Sequence, residues 1–317
     1  MTDLVTFGET MLRLSPPDGE RVDTTDELSI HVGGAESNVA VAASRLGVET
    51  CWISKLPDSP LGDRVVNGLR EVGVEVDVVR GDGRQGLYVT ELGGKPRGID
   101  VLYDRERSAL TTVTPDELPT RRIAEADCFF TSGITPALSD RLAKTTAGLL
   151  QFASEQGVET AMDVNYRSKL WSPERARETL SSMFSPVDVL VVPLRDAREL
   201  FGFEQSEAPE VAHGLASQFE FDTVVVTRGA NGAVGLHDGV IYEQPAFEAE
   251  TIDPIGTGDA FTGAFLARRV AGHDVADALA YGAATASIKR TIRGDVATIR
   301  RDEVERVVDE GTTTISR

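Results

Sequence analysis

The feature that most constrains this chain is the rhythm of its second half. Short apolar runs at 128–131, 160–163, 187–192 and 223–227 alternate with stretches of helical character at 140–154, 172–183, 196–201 and 210–218. A strand that is apolar on both faces must be covered on both. Helices alternating with such strands form a mainly parallel sheet held between two helical layers. Residues 4–7 and 51–54 read as further strands of this kind, with helices opening at Gly33-Gly34 and over 63–72. Ser172 and Pro173 supply a cap and a first helical position for the helix that follows. A hairpin-like stretch at 235–247 and helices over 275–289 and 301–308 complete the pattern.

Two strand-rich stretches interrupt the rhythm, 11–32 and 86–110. The second reads as strands 87–92 and 99–103 about a Gly93-Gly94 turn. Their polar ends suit them poorly to a core. We expect them to pair into a small sheet projecting over the main one, a lid inserted in an α/β core of residues 1–10, 33–85 and 111–317.

In open parallel sheets, ligands bind where strands end and helices begin. Here those ends, at 131–133, 163–167, 227–232 and 256–259, are rich in Gly, Asn, Asp and Arg. The most informative is Asp253-Pro254-Ile255-Gly256-Thr257-Gly258-Asp259-Ala260-Phe261. Phe261, Ala264 and Phe265 recur at helical spacing, so Gly256, Thr257 and Gly258 open a helix. Its unpaired N–H groups and dipole attract an anion, and glycine permits close approach. A carboxylate in that field, Asp259, is well placed to accept a proton. The pattern suits phosphoryl transfer to a hydroxyl, with amides and a metal on the phosphates and aspartate as the base. Thr227-Arg228-Gly229-Ala230-Asn231-Gly232 ends another strand and offers further amides near the phosphates.

Charge narrows the partners. The 317 residues carry 51 acidic against 32 basic side chains, a net −19, which argues against a nucleic-acid partner. Only five of the basic residues are lysines, and acidic excess with scarce lysine resembles a surface made for a high-salt cytoplasm. Cys51 and Cys128 sit in apolar settings and read as small buried hydrophobes, and the four histidines lack ligand spacing. No stretch approaches the ~18 uncharged apolar residues of a membrane span, and no leader-like segment opens the chain, so a soluble cytoplasmic protein is expected.

With these residues in hand, the chain resembles the ribokinase-like (PfkB) family of sugar kinases over essentially its whole length. Gly33-Gly34-x-x-x-Asn38 and Asp253-x-x-Gly256-x-Gly258-Asp259 carry the resemblance. Gly33-Gly34-Ala35-Glu36, Tyr103-x-Arg105-x-x-Ser108-Ala109 and Asp163-x-Asn165-Tyr166-Arg167-x-Lys169-Leu170-Trp171 are most similar to the branch that phosphorylates 2-keto-3-deoxygluconate, with the galactonate-derived epimer left open as a second substrate. A buried sugar-acid carboxylate calls for a guanidinium, and Arg105 and Arg167 are the candidates. The resemblance implies a three-layer αβα sandwich with a β lid, ATP and Mg²⁺, and a homo-oligomer formed through the lid. It implies that Gly34, Tyr88, Tyr103, Arg105, Arg167, Asp259 and Asp295 contact the sugar acid. It points to Asn165, Arg167, Thr227, Arg228, Gly229, Asn231 and Gly232 with Gly256, Thr257 and Gly258 for the nucleotide. Ala284 and Ser287, on a helix beyond the anion loop, are candidates for lining the base. Where the family commonly carries Asn-x-x-Glu for the metal, this chain has Pro193-Leu194-Arg195-Asp196, which leaves Asp196 as the candidate. Fructokinase or ribokinase chemistry and a non-catalytic sugar-acid sensor are the alternative readings.

Overall fold

The computed structural model describes residues 2–93 and 96–315; Gly94 of the expected turn lies outside them. The strands are β1 (Leu4–Phe7), β2 (Met11–Ser15), β3 (Ser29–Gly33), β4 (Thr50–Pro57), β5 (Glu75–Gly81), β6 (Leu87–Gly93), β7 (Gly98–Asp104), β8 (Cys128–Ser132), β9 (Glu159–Asp163), β10 (Val189–Pro193), β11 (Thr223–Thr227), β12 (Ala233–His237) and β13 (Val240–Gln244). Nine of them form the main sheet in the order β13-β12-β11-β10-β9-β8-β1-β4-β5. It is parallel from β11 to β5, and the β12–β13 hairpin adds two antiparallel strands at one edge. The sequence pattern left β5 unassigned, because an edge strand such as Glu75–Gly81 keeps charged residues between its valines.

Helices cover both faces. The first layer is α3 (Thr120–Ala124), α5 (Asp140–Glu155), α6 (Pro173–Ser181), α7 (Leu194–Phe201) and α8 (Ala208–Phe219), packed on Val5, Phe129, Met162, Leu190 and Val224. The second is α1 (Ala35–Arg45), α9 (Thr257–Val270), α10 (Val275–Lys289) and α11 (Arg301–Ile315), packed on Leu4, Phe130, Ala161, Val189 and Val225. Alternate residues of each strand therefore enter opposite cores, as uninterrupted apolar runs require. Helix α2 (Pro60–Glu71), capped by the Ser59 side chain, covers the lid end, and the single turn α4 (Ile134–Ala137) follows β8. Ser172 caps α6 as its sequence suggested, accepting from the Arg175 amide at 3.4 Å.

The lid is a separate four-stranded sheet, β3-β2-β6-β7. It ends at Asp104 rather than at residue 110, since Ala109 and Leu110 turn back and are 1% exposed. Cys51 and Cys128 are buried and unpaired. Among the described residues no helix is long and apolar enough to cross a membrane.

Candidate active site

Strand order reverses at β1, with β4 and β5 on one side and β8 to β11 on the other. At such a switch point the loops diverge and open a crevice above the strand ends. The cleft here is about 390 Å³ and is lined by the ends of β1, β8, β9, β10 and β11, the start of α9 and the inner face of the lid. Gly34, Tyr88, Tyr103, Arg105, Asn165, Arg167, Thr227, Gly256, Thr257, Gly258, Asp259 and Asp295 all line it. It runs into a shallower groove of about 880 Å³ that holds Thr227, Arg228, Gly229 and Asn231.

Two glycines are required by geometry. A Cβ on Gly34 would lie 2.0 Å from the Glu9 carbonyl, so the start of α1 presses directly on the end of β1. Gly256 has φ +78°, and a Cβ there would lie 2.0 Å from the Asp295 carbonyl. It leads into α9 with no side-chain cap, so the Gly258 and Asp259 amides lie at an open helix start beside the cleft.

Asp259, at the third position of α9, accepts a 2.7 Å hydrogen bond from the Asn38 amide. Burial pushes its carboxyl above the ordinary aspartate value, while Asn38 and the nearby Arg167 pull the other way. Beside it Asp163 is pushed up to about 8, by burial first and by the negative charges of Asp259 and Asp196 next. Asp163 also accepts from the Asn165 amide at 3.0 Å, which stabilises Asn165 in the left-handed conformation, φ 39°. Glu36 lies deeper. It accepts from the Ser132 amide and from the hydroxyls of Ser132 and Thr135, and burial lifts it to about 7.

The two guanidiniums differ. Arg105 gives its Nε and Nη2 to Glu9, at 2.8 and 2.5 Å, and both side chains are nearly inaccessible. Arg167 donates to the Tyr166 carbonyl at 3.2 Å and makes no ion pair among the described residues. Beneath the lid, Arg13 pairs with Asp253 at 3.0 Å and Asp295 at 3.1 Å, and the Tyr88 hydroxyl donates to Asp295.

Two expectations need correction. Asp196 is not open to a metal: it is fully buried, with one oxygen taking the Tyr166 amide and the other the Arg195 guanidinium. Ala284 is inaccessible in the second core layer, and Ser287 turns its hydroxyl to the Ala284 carbonyl, so neither faces the groove. Gly232 closes the groove turn, its amide donating to the Gly229 carbonyl at 3.1 Å. Sequence reasoning gave Glu9 and Arg13 no part in the site, and quoted Glu36 and Asp163 only as motif or strand-end residues without a role of their own. Glu9 and Asp163 each end or follow a sheet strand, which was a usable signal; Arg13, mid-strand in the lid, gave none.

A crevice at the switch point, an uncapped glycine-led helix and a buried carboxylate at its start are an arrangement suited to phosphoryl transfer. The chain belongs to the pfkB family of carbohydrate kinases, whose family model matches residues 1–301. It is 57% identical over 317 residues to the 2-dehydro-3-deoxygalactonokinase of Haloferax volcanii, covering 99% of each chain. It is 30% identical over 303 residues to the 2-dehydro-3-deoxygluconokinase of Thermoproteus tenax, covering 93% of this chain and 90% of the relative. The crystal structure of the 2-dehydro-3-deoxygluconokinase of Thermotoga maritima superposes with a TM-score of 0.92 at 32% identity, covering 98% of this chain and 100% of that one.

Proposed function

We propose that this carbohydrate kinase transfers the terminal phosphoryl group of ATP to the primary hydroxyl of a 2-keto-3-deoxy sugar acid. The galactonate-derived epimer is its principal substrate and the gluconate-derived epimer an alternative. The observation that carries the sugar-acid reading is Arg167, a guanidinium that lines the cleft and makes no ion pair among the described residues. A buried carboxylate needs such a partner, and a neutral sugar does not. The galactonate preference is supported by the relative at 57% identity, against 30% and 32% for the two gluconate kinases.

In this reading Asp259 accepts the hydroxyl proton, helped by the raised affinity for protons that burial gives it. The Gly256–Gly258 amides and Arg167 stabilise charge on the transferring group. Tyr103 on the lid and Arg105 just past its last strand orient the sugar acid. Thr227, Arg228, Gly229 and Asn231 border the groove for the nucleotide. Bound with ATP, magnesium would offset phosphate charge. Magnesium needs few protein carboxylates when phosphates and waters supply the rest. Asp163 fits that part, since it opens on the cleft and its own burial is unfavourable without a cation.

ATP-dependent phosphorylation of both sugar-acid epimers, fructose and ribose by the purified protein tests the proposal. Faster turnover of either neutral sugar than of both acids would sink it; faster turnover of the gluconate epimer would reverse the preference.

We further propose that the lid pairs with that of a second copy. Ile30, Leu14, Val89 and Leu102 are direct cross-strand neighbours in β3, β2, β6 and β7 and form an apolar row across the sheet. Ile30 is 39% and Leu102 66% exposed. Leu102→Asp should shift the mass seen by light scattering from dimer to monomer, and a monomeric parent protein would refute the pairing.

A further inference from the structure

In a chain with only five lysines, one is completely buried. Lys289 ends α10, and its ammonium meets no carboxylate at ion-pair distance among the described residues. Instead it donates to two backbone carbonyls, Asp253 at 3.3 Å and Ile292 at 3.1 Å. Removing an ammonium from water without a close anion is unfavourable. The position therefore calls for an explanation beyond packing, which a methionine would satisfy.

The two carbonyls belong to the two segments that make the floor of the anion loop. Asp253 begins that loop. Its carboxylate accepts from the Ile255 amide and the Gly294 amide, each at 3.0 Å, so it ties the loop to the turn that follows α10. The Ile252 and Asp253 amides in turn donate to the Arg290 carbonyl at 2.9 and 3.1 Å. Gly256 rests directly on the Asp295 carbonyl. Lys289 thus stands under the loop, on the side away from the cleft, and clamps the Asp253 and Ile292 carbonyls toward itself. A peptide unit whose carbonyl is held from below has its plane fixed, which limits how the amides that follow can turn.

We propose that Lys289 is a positioning residue for phosphoryl transfer, a built-in cation that fixes the anion loop from behind and adds positive charge beneath the start of α9. Arg13 cannot serve this purpose, because its guanidinium is committed to the Asp253 and Asp295 carboxylates. The ammonium is compact and has three donors that can converge on carbonyls from below, a geometry that a planar guanidinium does not provide. Its charge also favours the ionised form of Asp259, which links the clamp to the base.

The proposal rests on the phosphoryl-transfer reading, so parent activity on the sugar-acid panel is established first. Three variants then separate charge, geometry and packing. Lys289→Met fills the space without charge, and Lys289→Gln keeps a hydrogen-bond donor without charge. Lys289→Ala leaves a pocket that a small cation can enter. Misplacing groups by an ångström typically reduces turnover by about a hundredfold, so kcat should fall about ten- to a hundredfold in Lys289→Met, with KM for the sugar acid within about threefold of the parent. Lys289→Gln should fall between the parent and Lys289→Met. Turnover by Lys289→Ala should recover at least tenfold in ammonium chloride relative to tetramethylammonium chloride of equal ionic strength, and Lys289→Met should show no such recovery. Lys289→Met retaining more than a third of parental kcat would overturn the proposal. So would a folded Lys289→Ala, judged by thermal melting, that is equally impaired in both salts. If Lys289→Ala does not fold, the Met and Gln variants decide alone.

Discussion

The two ends of the cleft are built of different materials. At the sugar end the charges are buried and matched before any ligand arrives: Arg105 with Glu9, and Arg13 with Asp253 and Asp295. At the nucleotide end the groove is lined by an exposed turn, Gly229 to Asn231, and by arginines whose partners are exposed or whose own side chains are. Arg228 meets a Glu243 that is 54% exposed, and Arg195 is itself 75% exposed. Buried charge pairs are rigid and strongly disturbed when halved, whereas exposed ones contribute little. The sugar end should therefore be intolerant of substitution and selective, and the nucleotide end tolerant.

The largest effect is expected where the ends meet. Asp259→Asn keeps the Asn38 contact possible but removes the base. Turnover should fall about 10²- to 10⁴-fold, the usual contribution of a positioned base, while affinity for a nonhydrolysable ATP analogue measured by titration calorimetry stays within a few-fold. A variant keeping a tenth of parental kcat would remove Asp259 from that role.

Next comes the pH dependence of the buried end. Glu36 titrates near 7 in the folded protein and near the ordinary glutamate value when unfolded. Between those values the folded state holds a proton that the unfolded state has lost, so this group's effect on stability worsens as pH rises through about 4.5 to 7, then levels off. Glu36→Gln cannot ionise, so its stability relative to the parent should rise across the same window by up to roughly 3 kcal/mol. Urea unfolding of both proteins at pH 5 and pH 8 measures this. A difference that does not change with pH would mean that Glu36 is ionised throughout.

The sugar end's selectivity is tested at Arg105. Hydrogen bonds to charged groups contribute roughly 1.5–3 kcal/mol, so Arg105→Ala should raise KM for the sugar acid about ten- to a hundredfold and leave that for ATP nearly unchanged. Because the substitution also strands Glu9, the double variant Arg105→Ala/Glu9→Gln separates the loss of ligand contact from the unpaired carboxylate. Full recovery in the double variant would show that Arg105 only neutralises Glu9.

This difference between the ends also explains what could be read beforehand. The sheet, its covering helices and the lid were legible because apolar periodicity reports burial directly, and Thr223–Thr227 and Val275–Lys289 were placed to the residue. The cleft lining was legible wherever a strand end carried Gly, Asn or Arg. What stayed hidden was pairing across long separations, such as Arg13 with Asp295 or Arg105 with Glu9, because the partner of a charge is chosen by the fold and leaves no local pattern. Asp196 was misjudged for the same reason: a carboxylate that faces the Tyr166 amide and Arg195 looks, in sequence, like one that faces solvent.

At the nucleotide end a smaller response is expected. Asn231→Ala removes at most a neutral hydrogen bond of about 0.5–1.5 kcal/mol, so KM for ATP should rise roughly two- to tenfold with kcat within a factor of two. A hundredfold change would erase the contrast between the ends.

Salt should separate the two ends most gently. The chain's excess of 51 acidic over 32 basic residues repels ATP, and at about 0.01 M salt that repulsion reaches roughly 30 Å. In molar KCl it is confined to about 3 Å, so ATP approaches more readily and the carboxylates around the molecule no longer push one another apart. The matched pairs at the sugar end are shielded from solvent and should respond little. We expect a melting temperature that climbs from dilute buffer to about 1 M KCl, and a KM for ATP that falls a few-fold over the same range. KM for the sugar acid, itself an anion but bound deeper, should change less than that for ATP. A flat or falling melting temperature would remove the reading of this surface as a high-salt adaptation. Equal salt dependence of the two KM values would mean that the ends of the cleft are less different electrostatically than their burial implies.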